Sequence, residues 1–311
     1  MTEIAHSSPV AAPPSLQPDP APPPPSALTR HSALNDLSEV RHELWQGRSL
    51  LYQLTLRDIR IRYKQAVMGF GWAVFMPILI VGAGCLVRLA VVHAAGGRFD
   101  AAVLLGLAVK SIGWAFFVGA VGFATTSLTT NMQLVTKVYF PREVLPLSAV
   151  FAQCFDGLIA ATALLIALPF IGGAQPAGFL WLPVLALLLL TFTAATCLFL
   201  ACANLFFRDV KYIVQVLLTF GIFFTPVFFE PAMFGRKGAA ILMFNPLSPI
   251  LEGMRVSLVL GHNLLAPLDA ANGIPLWRPW YLAYAACWAF LGLLGSVVMF
   301  HRSEYVFAEY V

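Results

Sequence analysis

"AAVLLGLAVKSIGWAFFVGAVGFAT", residues 101–125, carries a single charge, Lys110. About 20 apolar residues in a helix match the roughly 30 Å hydrocarbon core of a bilayer, so this stretch reads as a membrane span. Working outward from it, comparable runs fall at 71–92, 147–171, 178–206, 212–233 and 278–300. The expected fold class is therefore all-α, a polytopic membrane helix bundle of about six transmembrane helices. Composition agrees: 59% of the 311 residues are hydrophobic and 11% charged, which leaves no room for a separate soluble enzyme domain.

Between the second and third runs, "NMQLVTKVYFPREVLPLSAV" (131–150) interrupts the apolarity with Lys137, Pro141, Arg142, Glu143 and Pro146. Pro141 suits the first turn of a helix, Glu143 suits the positive end of its dipole, and Pro146 stops or kinks it one turn later. A short rigid helix held between two spans is expected here, able to transmit a push where a flexible loop could not.

Before the first span lies "LLYQLTLRDIRIRYKQ" (50–65), where Tyr52, Leu56, Ile59 and Tyr63 recur on one helical stripe and Gln53, Arg57, Arg60 and Lys64 on its neighbour. This predicts a basic amphipathic helix over 48–65, lying at the membrane surface with its guanidinium groups toward anionic lipid or a partner. Residues 1–30 include "PVAAPPSLQPDPAPPPPS", which cannot form a core and reads as a disordered, solvated tail. No secretory signal pattern precedes Leu50, so the amino terminus is expected in the cytoplasm. Residues 31–311 then form one membrane domain.

Orientation follows from the basic residues. Arg57, Arg60, Arg62, Lys64, Lys137, Arg142, Arg208, Lys211 and Arg302 all fall on the tail's side, whereas the opposite loops hold Arg98 or no charge. Both termini are expected to be cytoplasmic. The net charge of +4 is thereby absorbed by topology, and nucleic-acid binding is not indicated. The segment "AAILMFNPLSPILEGMRVSLVLGH" (239–262) is apolar but broken by Asn245-Pro246 and Pro249, and it carries Glu252 and Arg255. A central arginine costs about 2.5–3.5 kcal/mol to insert against about 0.3–0.6 gained per leucine, so re-entrant or interfacial helices on the outer side are expected instead of a seventh span. The five cysteines lie in apolar runs without metal-ligand spacing. No phosphate cradle G-x-x-x-x-G-K-[ST], H-E-x-x-H or G-x-S-x-G occurs, so ATP hydrolysis is not expected in this chain.

Four stretches in order, "LTLRDIRIRYKQAVMGFGWAVFMPILIV", "NMQLVTKVYFPREVLPLS", "NLFFRDVKYIVQVLLTF" and "FNPLSPILEGMR", resemble the membrane subunit of type-2 ABC transporters, in the branch that exports polysaccharides such as O antigen and teichoic acid. The resemblance covers nearly all of the chain after the tail. It implies that the helix bearing Arg57, Arg60, Arg62 and Lys64 rests beside a separate ATPase subunit. It further implies that Lys137, Tyr139, Phe140, Pro141, Arg142 and Glu143 form the coupling and gate segment, with Arg208 and Asp209 on the same face and Asn245 and Pro246 in an outer gate. The implied assembly is two copies of this chain with two ATPase subunits, which bind the ATP and Mg; this chain itself carries no cofactor. The implied cargo is a polyprenyl-diphosphate-linked glycan, exported through the cytoplasmic (inner) membrane.

A sliding glycan favours aromatic faces, which makes Trp114, Phe116, Phe117, Phe223, Phe224, Phe228 and Phe229 candidates for a transport path, although aromatics in spans more often pack or face lipid. Arg88, Lys110 and Asp156 are intramembrane charges and so candidate functional groups, Lys110 as a diphosphate guide. At 1.5 Å per residue, Lys110 and Asp156 differ by roughly 9 Å in depth, which argues against a direct pair. Two other readings stay open: the same machinery with another cargo, a drug or simple lipid, or a membrane enzyme of glycan assembly.

Overall fold

The computed structural model describes residues 40–42, 44–64, 69–95, 100–137, 140–172, 174–270 and 273–304. The proline-rich tail and Tyr139 lie outside the described residues. From Arg48 onward the helices are α1 (Arg48–Lys64), α2 (Gly71–Ala95), α3 (Ala101–Thr130), α4 (Met132–Lys137), α5 (Val144–Ile171), α6 (Leu182–Phe206), α7 (Val210–Phe224), α8 (Gly235–Met243), α9 (Leu247–Leu260) and α10 (Pro279–Glu304). Short 3-10 turns at Pro176–Leu180 and Pro231–Phe234 precede α6 and α8, and β1 (Leu268–Asp269) pairs antiparallel with β2 (Pro275–Trp277) in the loop before α10.

Five of these helices, α2, α3, α5, α6 and α10, are long and apolar enough to cross a bilayer. α3 and α6 form the centre: 56% and 50% of their apolar windows are buried, against 17% or less for the other three, which face outward. The sixth expected span is shorter than its sequence run. α7 has 15 residues, about 22 Å, and stops at Thr225. The chain then passes Glu230, descends through α8 to Asn245, whose amide donates back to Thr225 Oγ1 (3.0 Å), and climbs again as α9. α9 is buried from Leu247 to Val259 and runs antiparallel to α3, since Leu251 meets Gly113 while Arg255 meets Gly106. It ends at Gly261, whose φ of 63° lies in the left-handed region. Gly178 takes the close contact there: a Cβ at that position would sit 2.1 Å from Ser257 O.

Two expectations at the basic end are corrected. The short helix is α4, immediately after α3, and not the Pro141–Pro146 stretch. Pro146 stops nothing: it occupies the first turn of α5, where the ring removes an N–H that has no intrahelical acceptor. Nor does α1 lie simply across the surface. Asp58 meets Ser148 and Arg62 meets Asp156, so contacts advance along α1 and α5 together and α1 climbs beside α5. The inward stripe is accordingly Leu54, Asp58 and Arg62, with Tyr52 exposed; polar partners on α5 satisfy the inward charges and set the helix rotation.

Candidate functional site

The basic end is built around a small apolar core in which Leu54 of α1, Leu128 of α3, Phe140, Val144 and Leu145, Leu198 to Leu205 of α6, and Phe300 of α10 converge. Phe140 and Val144 flank the Pro141–Glu143 turn, so the connection between the second and third spans is anchored at both sides. Arg142 and Pro141 remain half-buried at the surface, while Glu143 turns inward, 1% exposed, with Oε1 3.9 Å from His301 Nδ1 of α10. Lys137 closes α4. Arg208 and Asp209 are exposed on the α6–α7 turn, which Asn204 closes by accepting from the Lys211 N–H (3.2 Å).

α1 is fastened to the lower half of α5 at two levels. Ser148 Oγ lies 3.1 Å from Asp58 Oδ2, and Arg57 pairs with the other Asp58 oxygen at 2.9 Å. Two turns further, Arg62 Nη1 donates to Asp156 Oδ2 (2.7 Å) and Gln153 Oε1 (2.9 Å), and the Tyr63 hydroxyl donates to Asp156 Oδ1. Burial, reinforced by that bond, holds the Tyr63 phenol above its usual range. Arg62 therefore faces the bundle, whereas Arg57, Arg60 and Lys64 line an open groove of about 370 Å³ with Gln53, Leu56 and Ile61. This groove is the basic surface that α1 leaves uncovered.

A second polar cluster crosses the opposite half. Lys110 of α3, 2% exposed, donates to Phe229 O (2.8 Å) and lies 3.5 Å from Glu252 Oε2. Glu252 Oε1 accepts from Arg255 one turn on, at 2.9 Å from Nε and 2.5 Å from Nη2. Glu230 joins them, its two oxygens 4.0 Å from Arg255 and 3.5 Å from Arg88 of α2. Lys110 and Asp156 thus have separate partners, in keeping with their difference in depth. Glu230 carried no signal in sequence, because its partner Arg88 lies 142 residues away, and Glu252, though noted with its neighbour Arg255, gave no sign of its pairing with Lys110.

The aromatic candidates divide. Trp114, Phe116 and Phe228 are buried; Phe228 packs so close to Gly84 that a Cβ there would lie 3.0 Å from its ring. Phe117 stacks on Phe192 and Phe229 packs edge-on to Phe228. Phe223 and Phe224 are 53% and 72% exposed on α7. Asn245 and Pro246 form the α8–α9 corner, with Pro246 capping α9. The cysteines described are free thiols, and no metal-binding group occurs among the described residues.

A family model described as ABC-2 type transporter matches residues 49–259, from α1 to the end of α9. The O-antigen export system permease protein RfbA of Myxococcus xanthus is 31% identical over 243 residues, covering 76% of this chain and 91% of its own length. A protein of the same name from Klebsiella pneumoniae is 25% identical over 273 residues, covering 87% of this chain and 98% of its own. Another from Klebsiella pneumoniae is 26% identical over 219 residues, or 70% and 83%.

Proposed function

Because this chain belongs to the ABC-2 type transporter family, we propose that it is the permease subunit of an ATP-driven exporter of O-antigen-like polysaccharide. The observation that carries this is the similarity, along nearly their whole length, to three O-antigen export permeases. The chain supplies the membrane path and is not the enzyme; an ABC ATPase subunit hydrolyses ATP and binds its Mg.

The finer reading is mechanical. Two copies of this chain assemble with two ATPase subunits in the inner membrane, with the basic end and both termini in the cytoplasm. The ATPase docks on the open groove of Arg57, Arg60 and Lys64, on Arg142 and Pro141, and on the exposed Arg208-Asp209 turn. Its movement reaches the spans because Phe140 and Val144 tie the turn to the apolar core and Asp58 and Arg62 tie α1 to α5. The cargo is a glycan on a polyprenyl diphosphate, which passes the α8–α9 hairpin on its way to the outer side.

The test is purification of the wild type and Arg142→Glu under mild detergent, with mass spectrometry of bound protein and an assay of surface glycan in cells lacking another such permease. Glu143 is left alone because it is buried. A nucleotide-binding subunit should accompany the wild type, and the variant should lose it or retain it without exporting glycan. Absence of any ATPase from the wild type, or an unaffected variant, overturns the coupling assignment; export of a different molecule overturns the cargo.

A further inference from the structure

A cleft of about 470 Å³ lies between α2, α3 and α5 at the upper end of α1. It falls within the range of about 300–1,000 Å³ typical of small-ligand sites. Its walls are aromatic and aliphatic, with Trp72, Met76, Trp114 and Phe123 among them, and its polar end is formed by Arg62, Gln153 and Asp156. Trp72, Met76 and Phe123 are exposed, so the cleft opens sideways along α2.

The polar end is only partly used by the fold. Arg62 spends Nη1 on Asp156 and Gln153, and its guanidinium lies 3.9 Å over the Phe123 ring. Its Nε and Nη2, and the Gln153 amide N–H groups, make no hydrogen bond among the described residues. Gly119 makes room for that amide: a Cβ there would lie 2.5 Å from Gln153 Cδ. Spare donors therefore stand beside a carboxylate acceptor, against aromatic faces.

This chemistry selects among headgroups. Asp156 already neutralises Arg62, so a phosphate would gain no net cation and would be repelled by the carboxylate. A neutral sugar fits better. Each hydroxyl both donates and accepts, which matches guanidinium, amide and carboxylate together, while the apolar face of a sugar ring packs on indole or phenyl. We infer that this cleft binds the neutral sugar of a membrane glycolipid at Arg62, Gln153 and Asp156, with the lipid chain lying outside along α2. The inference rests on the glycan-export reading for one of its two sources, a neutral sugar of the lipid-linked cargo beyond its diphosphate; the other source is a resident glycolipid of the membrane.

Quenching of the cleft tryptophans by brominated lipid tests it, with the full chain in phosphatidylglycerol vesicles. Dibrominated glucosyl-diacylglycerol should quench more than dibrominated phosphatidylglycerol at equal mole fraction, and the excess should vanish when Trp72 and Trp114 are both replaced by Phe. Gln153→Leu leaves the Arg62–Asp156 pair in place and should weaken the sugar preference roughly tenfold, as loss of one hydrogen bond predicts. The folding of that variant is checked by its thermal unfolding midpoint in detergent, which should match that of the wild type. Unbrominated polyprenyl-diphosphate-linked sugar then separates the sources: relief of quenching assigns the cargo, and relief by glucosyl-diacylglycerol alone assigns a resident glycolipid. Equal quenching by both brominated lipids, stronger quenching by the phosphatidylglycerol, or an unchanged Gln153→Leu overturns the site. None of these results bears on ATPase co-purification, so the exporter reading fails or survives separately.

Discussion

Glu252 has two cations against it and no solvent, and that imbalance predicts what its loss would do. The cluster holds three cations, Arg88, Lys110 and Arg255, and two carboxylates, Glu230 and Glu252. Glu252→Gln would leave three cations sharing Glu230, and breaking a buried pair in this way costs about 3–5 kcal/mol. Lys110→Met removes the cation in excess: Arg255 keeps Glu252, Arg88 keeps Glu230, and the main loss is the Phe229 carbonyl's donor, about 1–3 kcal/mol. Thermal unfolding in detergent should therefore rank Glu252→Gln below Lys110→Met, with Lys110→Met below wild type. The reverse order would show that Lys110 acts through its hold on the Phe229 loop more than through charge. The depth of Lys110 could be counted along its helix, but the identity of its partners could not, because only tertiary packing brings α9 to α3.

α1 and α5 show the same division at the level of elements. Hydrophobic runs located the long helices, since length and apolarity alone report a span. The rotation and tilt of α1 were not legible, because its inward residues are a leucine, an aspartate and an arginine whose partners lie about 90 residues on. Pro146 misled for a related reason: proline marks a helix start as well as an end, and only the position of α5 decides which. If the Arg62–Asp156 pair holds α1 to α5, then Asp156→Asn weakens a hydrogen bond to a charged group worth about 1.5–3 kcal/mol. Amide exchange in α1 beyond Asp58 should then quicken by roughly tenfold or more, and glycan export should fall while the ATPase stays bound. Unchanged protection would mean that Leu54 and its apolar neighbours carry the attachment instead.

At the scale of the molecule, α7 is the element that one copy leaves unfinished. Its 15 residues reach about 22 Å, short of the roughly 30 Å hydrocarbon core. One side packs on α3 through Val214, while Ile213, Val216, Leu217, Phe220, Phe223 and Phe224 are exposed. A short helix facing lipid forces the bilayer to thin around it, and association with another protein surface removes that mismatch. The lipid-facing sides of α5 and α6 have no such reason to be covered, since both helices are long enough to span. In the proposed dimer α7 should therefore lie at the seam, placing Phe223 and Phe224 between the two copies. A cysteine-free background carrying Leu217→Cys should give a disulfide-linked dimer on oxidation in native membranes, whereas Leu165→Cys on α5, likewise an exposed leucine, should not. Crosslinking at Leu165 and not at Leu217 would put the seam on α5, and α7 would then have to meet lipid at its mismatched length.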